Sequence, residues 1–199
     1  MRWTRNILSI SVLCVLAAAC STPKGRIMTN TEQDVVGARR AGAATYDRLV
    51  EGAVQKLLSL HQASLNRRPG KMKIAFLGID SRGVEELGDW RAQIYELIDT
   101  SVNRSNVYRT VSRRFIEAAL RDSRVTRDQL FLPRYRRLFL QSLEAQKMPV
   151  DCLLFAKITT GSTRGEGVHQ RNYMLTLEMV DVKTGWDDKV SQRIRKEYH

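Results

Sequence analysis

A chain of 199 residues with 43% hydrophobic content is long enough for one domain with a real core and too apolar for wholesale disorder. Its 33 basic and 21 acidic residues give a formal net charge of +12, a balance that favours anionic partners: lipid headgroups, acidic glycans, acidic protein faces or nucleic acid. No stretch reaches the roughly 20 apolar residues of a spanning helix.

The chain opens on two basic residues, Arg2 and Arg5, and an apolar run from Ile7 to Ala19 that ends on three alanines and Cys20. A basic start, a short apolar stretch and small residues before a cleavage point make a secretory signal over residues 1–19. Leu16-Ala17-Ala18-Ala19-Cys20 resembles the lipobox of bacterial lipoproteins, with Ala17 where Leu is commonest. The resemblance implies cleavage before Cys20, a thiol alkylated with diacylglycerol and an acylated N-terminus. One acyl chain holds a protein marginally and two or more hold it stably, so the expected partner is a membrane, reached through a lipid anchor. Ser21 is not the acidic residue that, by the same resemblance, favours inner-membrane retention, so the outer membrane, facing the periplasm, is expected. Export makes nucleic acid the least expected partner. Without Arg2 and Arg5 the remaining chain carries 31 basic and 21 acidic residues, a net charge of +10.

Residues 20–40 are polar with little periodicity and read as a lipidated N-terminus and tether, with a mean reach of roughly 25 Å as flexible coil. Residues 41–199 are the predicted domain. Tyr46, Leu49, Val50, Ala53, Val54, Leu57 and Leu58 recur at three and four, which predicts an amphipathic helix ended by Arg67-Arg68-Pro69-Gly70. Met72 to Ile79 is an apolar run that predicts a central strand, opening into the loop Asp80-Ser81-Arg82-Gly83. Trp90 to Val102 predicts a helix and Val107 to Val111 a second strand. Ser112 stands ready to cap a helix carrying Phe115, Ile116, Ala119 and Leu120. After a break at Leu130 to Pro133, Tyr135, Leu138, Phe139 and Leu143 predict another helix.

Pro149 resets the chain into the apolar run Val150 to Thr160, followed by a glycine-punctuated hairpin loop from Gly161 to Gly167. Tyr173 to Val182 alternates, with Tyr173, Leu175, Leu177 and Met179 on one side, and predicts a half-buried strand. Asp181-Val182-Lys183-Thr184-Gly185 is a turn. The charged run Asp187-Asp188-Lys189 after Trp186 predicts a short last strand, with Val190 to Tyr198 curling into a helix. The element order predicts a single α/β domain: a mixed sheet of about four or five strands flanked by helices.

Val111-Ser112-Arg113-Arg114 opening a helix, Pro149-Val150-Asp151-Cys152-Leu153-Leu154-Phe155-Ala156-Lys157-Ile158 and Leu177-Glu178-Met179-Val180-Asp181-Val182-Lys183-Thr184-Gly185 together resemble the LpoB family over about residues 45–186. The pattern is shared more loosely by the curli-secretion lipoprotein CsgG and the N-terminal domain of TolB. The resemblance implies an outer-membrane lipoprotein that activates a penicillin-binding protein, with no catalytic site and no cofactor. The best-studied activators carry a much longer tether than the one here.

The residues show no catalytic constellation of their own. His61, His169 and His199 make no two-ligand spacing with another His or Cys, so no metal site is expected, and Cys152 reads as a buried small hydrophobe. Gly161 to Gly167 lacks the Gly-Lys-Ser/Thr ending of a phosphate loop, and Ser112 lacks a nucleophile elbow. Asp80-Ser81 follows the first strand, where α/β proteins often hold ligands. Nine arginines (Arg109, Arg113, Arg114, Arg121, Arg124, Arg127, Arg134, Arg136, Arg137) fall within 29 residues against Glu117, Asp122 and Asp128. They are either solvated helix faces or a docking surface for an acidic protein patch or anionic polymer, with Arg113, Arg114, Arg134, Arg136 and Arg137 as the candidate contacts.

Two functions compete. One is a monomeric regulator that docks on a peptidoglycan synthase such as a bifunctional penicillin-binding protein. The other is an oligomeric, curli-type secretion component, which needs strands of about 9–11 residues to cross a bilayer. By alternation only Tyr173 to Val182 approaches that length.

Overall fold

Successive residues of a strand face opposite ways, so the continuous apolar run Ile74-Ala75-Phe76-Leu77 has to be covered on both sides. The computed structural model, which describes residues 41–65, 70–81, 87–88, 90–165 and 169–198, shows how. Helix α1 (Ala43–Leu65) precedes β1 (Met72–Asp80), and α2 (Trp90–Arg104) leads to the short β2 (Tyr108–Thr110). Then come α3 (Arg113–Ser123), a 3-10 turn (Arg127–Phe131), α4 (Pro133–Ala145), and the long strands β3 (Cys152–Arg164), β4 (His169–Asp181) and β5 (Asp187–Tyr198). The expected leader, lipobox and tether lie outside the described residues.

The strands form one mixed sheet in the order β2-β1-β3-β4-β5. β1 runs parallel to β2 and β3, and β3, β4 and β5 are antiparallel. Ile74, Phe76, Leu154, Leu175 and Leu177 on one face pack with α1 and α2 through Leu49, Ala53, Leu57, Ile94 and Ile98. Ala75, Leu77, Leu153 and Val180 on the other face pack with Ile116 and Leu120 of α3 and with Phe139 and Leu143 of α4. The α/β sheet flanked by helices is the expected fold, and the expected alternation of Tyr173, Leu175, Leu177 and Met179 is the buried side of β4.

First helix and last strand touch. Gly52 of α1 lies so close to β5 that an added Cβ would sit 2.8 Å from Gln192 Cδ. One turn on, Lys56 Nζ donates to the Ser191 carbonyl at 2.8 Å. Side-chain and backbone bonds also strap the start of β3 to β1: Lys73 N–H donates to Asp151 Oδ2 at 2.8 Å, and Asp151 N–H returns to the Lys73 carbonyl at 2.8 Å.

Three expectations need correction. Val190 to Tyr198 is not a helix: β5 pairs with β4 over its whole length, from Val180↔Asp187 to His169↔Tyr198. The charges that suggested an early end are satisfied across the strands, since Lys189 lies opposite Glu178 and its Nζ is 2.9 Å from Glu178 Oε2. The Gly161 to Gly167 segment is not all loop, because β3 continues to Arg164 and pairs it with His169. Ser112 occupies the position before α3, yet its side chain makes no capping hydrogen bond.

Tyr46, in the α1 core, is 1% exposed, and its hydroxyl has no hydrogen-bond partner among the described residues. Burial raises its pKa above the ordinary tyrosine value. An unpaired buried hydroxyl costs about 1–3 kcal/mol. Tyr46→Phe removes that penalty while keeping the ring against Trp90, with the two ring centroids 5.8 Å apart. The melting temperature of the variant should therefore rise by a few degrees, at about 2–4 °C per kcal/mol for a domain of this size. A lowered melting temperature would show that the hydroxyl has a partner in solution.

Candidate functional site

The sheet changes winding direction beside β1. From β1 the chain crosses over α2 to β2 on one side, then returns over α3 and α4 on the opposite face to β3 on the other side. In open α/β sheets the crevice at the carboxyl ends of the strands flanking such a reversal is where ligands sit.

At that point β1 carries an extra residue. Its register with β3 passes from Phe76↔Leu154 to Ile79↔Ala156, three steps against two. Gly78, with φ of +108°, supplies the bulge in a conformation that a side chain would strain. The bulge separates the last turn of pairing from the hydrophobic run and directs Ile79, Asp80 and Ser81 to the rim.

Four side chains from three elements meet there. Ser81 is, with Thr45, one of two buried polar side chains among the described residues, and its hydroxyl accepts a hydrogen bond from Arg91 in the first turn of α2. One turn along, Tyr95 stacks on Phe76 with ring centroids 4.5 Å apart, and its hydroxyl donates to the Phe76 carbonyl at 3.3 Å. Arg113, at the start of α3, places its guanidinium carbon 4.7 Å from the Tyr95 ring centroid. Burial, then the nearby Asp99 carboxylate, push the Tyr95 hydroxyl up to about 12, with Arg113 acting in the opposite direction.

Glu117 collects the remaining charges. Its Oε1 lies 3.6 Å from Arg113 Nε and also receives Arg127 Nη2. Arg127 is placed by a local device: the α3 helix ends on Arg124 in the left-handed region at φ 54°, and Thr126 N–H then donates to Gln129 Oε1 at 3.0 Å, fixing the 3-10 turn. Of these groups Arg91, Tyr95, Arg113, Glu117 and Arg127, without Ser81, line a crevice of about 480 Å³ whose walls also include Phe76, Ile79 and Ile116. A second hollow of about 980 Å³ shares Gly78, Arg91, Glu117 and Arg127 with it and runs over the outer face of β3 and β4.

The arginines singled out in the sequence divide between two places. Arg113 turns into the crevice, as does Arg127. Arg114, Arg134 and Arg137 are exposed on α3 and α4. Arg136 is half-buried, with Nη2 3.1 Å from where a Cβ of Gly185 would stand, so α4 lies close against the β4–β5 turn. Trp186, next in that turn, is 80% exposed. Arg91 escaped notice in the sequence because it lies outside the arginine-rich stretch and shares its helix only with the distant Arg104, although its place one turn before Tyr95 and just after the β1 loop was a usable signal. Cys152 is buried at the start of β3, and His169 Nδ1 lies 3.3 Å from the Thr163 carbonyl. Among the described residues no cluster of three potential metal ligands occurs, and no helix is long and apolar enough to cross a membrane.

No protein-family model and no curated protein matches the chain. Among solved structures it is similar to the LpoB C-terminal domain from Escherichia coli, at 12% identity and a TM-score of 0.48, over 74% of this chain and 97% of that one. The LpoB C-terminal domain from Salmonella enterica gives 11% identity and a TM-score of 0.46 over the same shares, 74% and 97%. Lipoprotein GNA1162 from Neisseria meningitidis is similar at 13% identity and a TM-score of 0.40, over 63% of this chain and 83% of that one.

Proposed function

We propose that the chain is a cell-envelope lipoprotein, anchored through Cys20 in the outer membrane, that docks on a peptidoglycan synthase of the penicillin-binding class and regulates it without chemistry of its own. The lipobox and the sequence likeness to the LpoB family motivate the reading. The observation that carries it is the outer face of α4. Arg134, Arg137 and Leu138 stand at positions i, i+3 and i+4, all exposed, with Leu138 at 42%. Beside them Arg136 lies close to the turn that presents Trp186. Arginine, tryptophan and an apolar neighbour are the residue types that dominate protein–protein contact energies. A regulator of this kind acts by binding one conformation of its partner more tightly than another, which requires a surface and no catalytic group.

Crosslinking in intact envelopes followed by capture of the chain is expected to retrieve a bifunctional penicillin-binding protein. The double variant Arg134→Glu, Arg137→Glu should lower the yield by about tenfold or more, and Trp186→Ala should act in the same direction. Capture that never contains a synthase, or that is indifferent to all three residues, removes the proposal.

A curli-type secretion component is the second reading, and one observation favours it. β3, β4 and β5 run for 13, 13 and 12 residues, so β4 is not alone in reaching the length that crosses a bilayer, as the alternation had suggested. Against it, the sheet face away from α1 presents Lys157, Glu178 and Lys189. Lipid would have to accept those charges. A large ring in detergent would support secretion, and a monomer supports docking.

A further inference from the structure

The geometry points to a ligand site in the crevice at the carboxyl end of β1, taking a small phosphomonoester with an apolar or aromatic body. This inference is independent of the docking surface on α4. Among the described residues three guanidinium groups, Arg91, Arg113 and Arg127, line the crevice and Glu117 is the carboxylate of its lining, with Asp99 close to Tyr95, so arginine donors outnumber carboxylates in the walls. A phosphate monoester carries close to two negative charges at neutral pH and three acceptor oxygens, which suits several planar arginine forks at once better than a monocarboxylate does.

The walls describe the rest of the ligand. Phe76 and Tyr95 are stacked on one another, and Ile79 and Ile116 complete an apolar lining. About 480 Å³ falls in the range of pockets that enclose small organic molecules. Ser81, buried beside the crevice, accepts a hydrogen bond from Arg91, and Gly78 at the bulge lies near Arg127, since a Cβ there would stand 3.7 Å from its Nε. Arg113 and Arg127 share Glu117, so a phosphate can take one arginine from the carboxylate while the other remains paired.

The test is titration of the full chain in detergent with phenyl phosphate, inorganic phosphate and benzoate, followed by calorimetry and by amide shifts of Gly78 and Ile79. Phenyl phosphate should bind saturably with one site, about tenfold or more tighter than either of the others. Arg91→Gln should weaken it by about tenfold or more, and Arg104→Gln, exposed at the far end of α2, should leave it unchanged. Should Arg91→Gln fold poorly, Arg127→Gln and the amide shifts of the unaltered chain carry the same decision. No saturable binding, shifts confined to residues away from Gly78 and Ile79, or equal losses in Arg91→Gln and Arg104→Gln would overturn the assignment. Benzoate binding as tightly as phenyl phosphate would overturn the phosphate preference.

Discussion

Cys20→Ser is expected to abolish incorporation of labelled palmitate and to leave residues 1–19 on the chain. The expectation follows from chemistry: only a thiolate is nucleophilic enough to take the diacylglyceryl group, and a serine hydroxyl at neutral pH is not. Without that group the acyl chains that would hold the protein are missing, and each buried methylene lost removes about 0.8 kcal/mol of membrane affinity. The effect is all or none rather than graded. Intact-mass measurement decides it, since the unaltered protein should begin at residue 20 and carry a lipid adduct. Label retained by the serine variant, or an unmodified thiol in the parent, would remove the anchor and with it the compartment in which a synthase is met.

The second large effect belongs to the middle of the sheet. Leu154 lies on β3, the central strand, fully buried between Phe76 of β1 and Met179 of β4 and facing α1 and α2. Leu154→Ala removes three buried carbons and leaves a cavity that strands held on both sides close only in part. The cost is about 2–5 kcal/mol, or roughly 4–20 °C in melting temperature. Three residues along the same strand, Lys157 is exposed on the opposite face, and Lys157→Ala should stay within about 0.5 kcal/mol. Denaturant or thermal unfolding of the pair tests the assignment of faces, and similar losses from both would contradict it.

How far the sequence reveals this structure depends on where apolar residues fall. β1 and the first half of β3 are unbroken apolar runs because helices cover both their faces, and such runs are legible without any partner in view. The α1 periodicity is equally plain. β5 was misread because its inward side, Val190, Gln192 and Ile194, meets only the flank of α1, so little apolar patterning is required of it. What holds it is pairing with β4 and the Lys189–Glu178 contact, both of which depend on residues that a reading of the segment alone does not include. The crevice was half visible. Asp80-Ser81 at the end of a central strand marked the place, whereas the convergence of Arg91, Arg113 and Arg127 on it joins positions up to 36 apart and depends on how two helices cross the sheet.

The contact between Gly52 and Gln192 sets a timetable. A polypeptide is made from its amino end, so α1 and β1 exist well before the strand that completes their packing. Residue 52 waits for residue 192, and β1 waits across a separation of 78 residues for its partner at Asp151. Meanwhile β3, β4 and β5 can zip together locally by short turns as soon as they emerge. The carboxyl-terminal meander is therefore the template and the amino-terminal helix the latecomer in structure, though the first made. Until the meander arrives, the apolar stripe of α1 has only β1 and α2 to pack against, and the part that meets β4 and β5 stays open to solvent.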